Sequence, residues 1–224
     1  MGPTKIENMV ATEGPQLLDR TLYHCDNLVV LQGINSNTVD LIATDPPFNK
    51  SKDFHAAENS AADGGKFTDR WSWNKDVHPK WVDDLKDDWP GVWASIMSAQ
   101  QIAGKDMAAF LCWLSVRLIP CHRILKDTGS IYLHIDYTAH AYVKCLMDGI
   151  FGKENFRNEI VWQRAYGGKT SQFAPKKFGS NHDTLLFYTK SENYTLNAYS
   201  ELDKDKIETL FPLHTTPNLS LIHI

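Results

Sequence analysis

Val39-Asp40-Leu41-Ile42-Ala43-Thr44-Asp45-Pro46-Pro47-Phe48-Asn49 runs an apolar, strand-forming segment into a carboxylate, two prolines and an aromatic ring. Pro46 and Pro47 carry no backbone N–H and cannot continue a central ladder, so the strand must stop where these groups are presented. Asp45 and Pro46 each precede a proline and are biased to extended conformations, which leaves their carbonyl oxygens unpaired at the strand's end. The outcome is a cluster of acceptors beside a flat apolar ring. Such a cluster suits an exocyclic amine on a planar heterocycle: carboxylate and carbonyl accept the two amine hydrogens while Phe48 stacks on the ring. Taken alone, Asp-Pro-Pro is more often a plain turn, so the neighbouring segments decide.

Upstream, residues 22–26 (Leu-Tyr-His-Cys-Asp) read as a short strand and residues 27–32 as a short helix or turn, followed by a connection through Gly33 and Asn37. Strand, helix and strand in about 25 residues make a βαβ unit with parallel strands. That puts Asp26 and Asp45 at carboxyl ends of neighbouring strands, where open α/β sheets bind ligands. Downstream, residues 49–75 are polar and without a period, a loop placed to act as lid or wall for a substrate. Met107, Phe110, Leu111, Leu114 and Leu118 then mark the core-facing stripe of a helix. Pro120 is expected to kink or divide that helix, and Lys126-Asp127-Thr128-Gly129 to close its second piece with a glycine stop. Residues 130–136 form the next strand, again ending in a carboxylate, and residues 139–151 a further helix. Residues 158–164 and 183–189 complete the set of strands.

The 224 residues suffice for one α/β domain with a sizeable core. A net charge of −4 excludes a surface that is basic throughout, so any nucleic-acid footprint must be local. Between Lys153 and Lys190 there are seven basic against three acidic residues, whereas Asp53 to Asp88 holds nine acidic against five basic. The four cysteines contain no Cys-x-x-Cys pair and stand beside no histidines at zinc spacing, which reads as free thiols in a reducing cytoplasm with no metal site. The apolar run from Met107 to Ile119 is interrupted by Ser115 and Arg117 and meets Pro120, too short and too polar to span a membrane.

The order of pieces carries a resemblance. Cys25-Asp26-Asn27-Leu28, then Asp45-Pro46-Pro47-Phe48-Asn49, then Leu125 through Asp136 with Thr128-Gly129-Ser130-Ile131-Tyr132, is similar to the β-class site-specific DNA methyltransferases. So are Met147-Asp148-Gly149-Ile150-Phe151-Gly152, Asn158-Glu159-Ile160-Val161-Trp162 and His182-Asp183-Thr184-Leu185-Leu186-Phe187-Tyr188. The resemblance implies a Rossmann-like, doubly wound α/β fold with a mostly parallel sheet of the S-adenosylmethionine-dependent methyltransferase type. It implies S-adenosylmethionine as methyl donor and double-stranded DNA as substrate. In restriction-modification members it implies a restriction subunit or a second methyltransferase subunit as partner. Family members carry a Phe-x-Gly-x-Gly turn after the catalytic half, and this chain has no Gly-x-Gly. The expectation is therefore a fold incomplete at its C-terminus and inactive alone, with residues 1–17 a loose tail, 18–195 the catalytic region and 196–224 the start of a truncated downstream part.

The same resemblance assigns roles. Asp45 and the Pro46 carbonyl accept from the target amine, Pro47 ends the strand, and Phe48 stacks on a base flipped out of the duplex. Asp at the first motif position resembles the adenine-N6 enzymes; cytosine-N4 transfer, or a DNA-binding relic without chemistry, are the alternatives. Asp26 matches the acidic position beside the cofactor's adenine, and equally suits an N-cap for the helix that follows. Arg164, Lys169, Lys176 and Lys177 lie in a glycine- and aromatic-rich loop suited to DNA phosphates, or to plain solvation. His134 invites a general-base role, but inward residues on a strand are more often structural, and water can take the proton.

Overall fold

The structure is a computed structural model that describes residues 20–55, 66–163 and 181–197. The described residues up to Tyr194 belong to one compact unit. Strand β1 (Val39–Thr44) pairs in parallel with β4 (Leu125–Ile135). On its other side β4 pairs antiparallel with β6 (His182–Thr189), and β6 with β5 (Phe156–Gln163), giving the order β1-β4-β6-β5. The parallel pair holds the Asp45 end, and the antiparallel strands complete the described sheet.

Alternation decides which face is covered. Ile131, Leu133 and Ile135 of β4, with Leu186 and Tyr188 of β6, are fully buried and join one core with helices α4 (Pro90–Ala103), α5 (Lys105–Ile124) and α6 (His140–Phe151). Residues of opposite parity, Ala43, Tyr132, His134 and Leu185, point to the other face and line a cavity. Helix α5 is the centre of this core. The stripe Met107, Phe110, Leu111, Leu114 and Leu118 is buried as expected, and so are Ala108, Cys112, Ser115 and Val116 between its members. The helix is long and apolar enough to cross a membrane, but 83% of its apolar window is buried inside the protein.

Four expectations give way. Residues 22–26 form no strand: Leu22 is 93% exposed, and β1 finds its parallel partner in β4 instead. Asp26 instead stands before helix α1 (Asn27–Gly33), so no βαβ unit precedes Asp45. Pro120 does not divide α5, which continues unbroken to Ile124. Burial of its flanks outweighs the roughly 3 kcal/mol that an interior proline costs. Gly129 is no helix stop but part of β4, where the ladder skips from the Val39–Leu125 pair to the Leu41–Ser130 pair. A Cβ there would lie 2.9 Å from the Lys126 carbonyl and 3.1 Å from that of Asp40, so the irregular start of β4 requires glycine. Finally, the polar segment after Asn49 holds an antiparallel hairpin, β2 (Lys52–His55) with β3 (Lys66–Asp69), then α2 (Trp73–Asp76) and α3 (Pro79–Asp88). Its alternation is too short to show as a period.

Candidate active site

The register of the parallel pair builds the site. Ala43 lies beside Tyr132 and Thr44 beside Leu133, so one step further along both strands Asp45 comes alongside His134. The Asp45 carboxylate, 70% exposed, meets the imidazole: His134 Nδ1 lies 2.9 Å from Asp45 Oδ1. On the other side of the ring, His134 Nε2 is 3.5 Å from Asp183 Oδ2 on β6. The edge of Phe48 packs against the same imidazole, with ring centroids 5.1 Å apart and planes at 87°. Residues 89 and 138 positions away from Asp45 in sequence, counted to His134 and Asp183, are thus gathered by strand pairing alone.

The turn after Asp45 is held from beneath by Asp69, the last residue of β3. Its buried carboxylate accepts from three consecutive backbone N–H groups, Phe48 at 3.3 Å, Asn49 at 2.8 Å and Lys50 at 2.8 Å, and from the Trp71 indole at 3.1 Å. Asn49 and Ser51 take left-handed backbone angles, φ 59° and 54°, that turn these N–H groups inward. Trp71 in turn packs on Trp113 and Phe110 of α5, tying the turn to the core. Nothing local in the sequence marks Asp69; only the hairpin returns it to the turn. Lys50 lies 4.7 Å from the centroid of Phe48 and bridges to the buried Asp136 carboxylate at 3.0 Å. Asp136 also accepts from the Thr138 N–H.

Two cavities meet at Asp45. One, of about 340 Å³, is lined by Ala43, Thr44, Tyr132, His134, Trp162 and Leu185. The other, of about 370 Å³, is lined by Pro46, Pro47, Phe48, Lys50, Phe54 and Asp69. Both have the size of a small-ligand site. In the first, Tyr132 is stacked on Phe187 with planes 5° apart, and burial raises its phenol.

Asp26 lies before α1, where it caps the helix and pairs with a buried arginine. Oδ1 caps the helix by accepting from the Leu28 N–H at 2.9 Å, and both oxygens accept from Arg117 Nη2 at 3.0 Å. Arg117 is buried in α5, stacked 3.9 Å from the Trp113 ring and bonded to Asn27. Burial depresses its guanidinium and the Asp26 charge opposes that shift. Asp26 itself remains 56% exposed. Arg164, Lys169, Lys176 and Lys177 lie outside the described residues. Among the described residues no group of three or more His, Cys, Asp or Glu stands where it could hold a metal ion. Cys112 and Cys121 are buried, which pushes both thiols up to about 12.

The α/β domain thus presents a carboxylate, two prolines and an aromatic ring at the end of a parallel strand, between two cavities. By sequence the chain belongs to the DNA methylase family of N6 and N4 methyltransferases, whose model matches residues 39–219. It is 30% identical over 210 residues to the type II methyltransferase M.KpnI of Klebsiella pneumoniae, covering 90% of this chain and 41% of that protein. It is 32% identical over 143 residues to the Mod subunit of the type III restriction-modification enzyme StyLTI of Salmonella typhimurium, covering 62% of this chain and 19% of that one. Among solved structures, a candidate DNA modification methylase of Thermus thermophilus aligns with a TM-score of 0.42 at 16% identity, over 83% of this chain and 63% of that one. The chain thus spans less than half the length of the curated relatives it matches.

Proposed function

We propose that this chain carries the target-amine site of a DNA methyltransferase that modifies the N6 amine of a flipped-out adenine. The observation that carries the reading is the Asp45 turn. Among the described residues Asp45 bonds to His134 and to no other group, so Oδ2 keeps its lone pairs for an incoming N–H. The Pro46 carbonyl is the second acceptor. Accepting both amine hydrogens opposes delocalisation of the nitrogen lone pair into the ring and makes it a better nucleophile. Orientation and electrostatics, not a covalent enzyme intermediate, provide the acceleration. Phe48 stacks on the base from the wall of the second cavity, and Asp69 keeps that wall from moving.

S-adenosylmethionine, when bound, supplies an electrophilic methyl group. The half-exposed Asp26 carboxylate fits its adenine amine, since Oδ2 accepts only from Arg117 and retains acceptor capacity, whereas Oδ1 is taken by the cap and Arg117. Arg164, Lys169, Lys176 and Lys177 neutralise phosphates of double-stranded DNA. Sequence similarity to a Mod subunit supports a place in restriction-modification, with a restriction subunit or a second methyltransferase subunit as partner. The resemblance of the Asp-first motif supports adenine over cytosine. The test is mass spectrometry of DNA incubated with S-adenosylmethionine and the product of the full reading frame, with the 224-residue chain in parallel. N6-methyladenine is the expected product; N4-methylcytosine alone overturns the choice of base, and no methylated base on any duplex overturns the enzymatic reading.

A further inference from the structure

We infer that His134 is a positioning residue that selects which oxygen of Asp45 receives the substrate amine; this rests on the methyl-transfer reading above. A carboxylate can only accept, so the imidazole nitrogen 2.9 Å from Asp45 Oδ1 must carry a proton, and His134 is fixed with Nδ1–H pointing at Asp45. That bond occupies Oδ1 and prevents the 70% exposed side chain from swinging among its rotamers. Oδ2 is thereby left as the acceptor for the amine. The same ring is seated edge-on against Phe48 at 5.1 Å. One side chain therefore sets both the acceptor and the plane on which the base stacks. On the far side of the ring Nε2 faces the buried Asp183 carboxylate at 3.5 Å without a hydrogen bond. Asp45 and Asp183 are the charged groups facing it, one from the end of β1 and one from β6.

The geometry distinguishes two isosteres. In His134→Asn the amide Nδ2 occupies the place of Nδ1 and still donates to Asp45, whereas His134→Phe keeps the ring against Phe48 and loses the donor. Both are made in the complete methyltransferase. His134→Phe is expected to lower kcat by about 100-fold, the loss typical of one preorganised hydrogen bond at a reacting group, while KM for DNA stays within about two-fold. His134→Asn is expected to recover at least about ten-fold of that loss. Wild-type kcat in His134→Phe, or no recovery in His134→Asn, overturns the assignment. Should the wild-type protein methylate no DNA, the methyl-transfer reading fails separately. The contact is then decided by NMR: the His134 Nδ1–H resonance, held by its hydrogen bond to Asp45, should be lost to solvent exchange in Asp45→Ala, and an unchanged resonance overturns it.

Discussion

Asp45 and Asp69 border the same cavity and are used in opposite ways. Asp69 is 1% exposed and takes four N–H donors into its two oxygens; Asp45 is 70% exposed and takes one. A carboxylate whose lone pairs are all filled fixes the chain around it. One that the fold leaves largely unfilled at the end of a strand is available to a ligand. The difference is created by the turn between them: two prolines remove donors next to Asp45, and the left-handed Asn49 and Ser51 aim donors at Asp69.

Removing each carboxylate should therefore break different properties. Asp45→Ala is expected to lower methyl transfer by about 10²–10³-fold while leaving unfolding free energy within ~0.5 kcal/mol, because the side chain supports little beyond His134. Radiolabelled methyl transfer and urea unfolding measure the two effects on one preparation; near-normal turnover would remove Asp45 from the site. Asp69→Ala should reverse the pattern. Three backbone N–H groups and an indole lose their acceptor in a buried place, a loss of about 4 kcal/mol. A urea midpoint close to wild type would show that Asp69 does not clamp the turn.

How much of this could be read from the sequence follows the same division. The end of β1 was legible because prolines and a carboxylate are local signals, and the α5 stripe because its period is sustained from Met107 to Leu118. The strands β4, β5 and β6 and helix α6 were legible from their apolar runs. Asp69 was not, since its role exists only after β3 folds back over 20 residues onto Asn49. His134 was visible as a residue on a strand, but its contact with Asp45 depends on β1 pairing with β4 across 89 positions. The supposed strand before Asp26 had the right composition and no partner. Pro120 read as a breaker by its own chemistry, and the packing of α5 overrode it.

Acid sensitivity of the fold has to be separated from that of the site, and His122 gives the handle. Burial first, and the Lys190 charge second, hold its imidazole down to about 4, against 6.5 in an unfolded chain. Between these values the unfolded chain binds the proton and the folded one does not, so stability is full above pH 6.5 and falls progressively towards pH 4. The loss is roughly 3 kcal/mol over that window. His122→Phe, which preserves the edge-on packing against Phe151, should flatten the difference between urea midpoints measured at about pH 7.5 and about pH 4.5. An equally steep fall in the variant would place the acid lability elsewhere.

Asp26 stands between the two extremes. Like Asp69 it fixes chain, capping α1 and pairing with a buried arginine; like Asp45 it is more than half exposed. Serine at this position keeps an oxygen for the Leu28 N–H and removes the charge, so Asp26→Ser separates the cap from the carboxylate. Arg117 still holds Asn27, the Trp113 carbonyl and the Trp113 ring in that variant, which limits the expected loss of stability to ~1 kcal/mol. If the remaining acceptor capacity serves the cofactor's adenine amine, the Kd for S-adenosylmethionine should rise about ten-fold, the equivalent of one hydrogen bond to a charged acceptor. Calorimetry on the full-length protein measures it, with the Asp45→Ala variant as the control that should bind the cofactor normally. An unchanged Kd in Asp26→Ser would group Asp26 with Asp69, as a carboxylate whose work is done inside the fold.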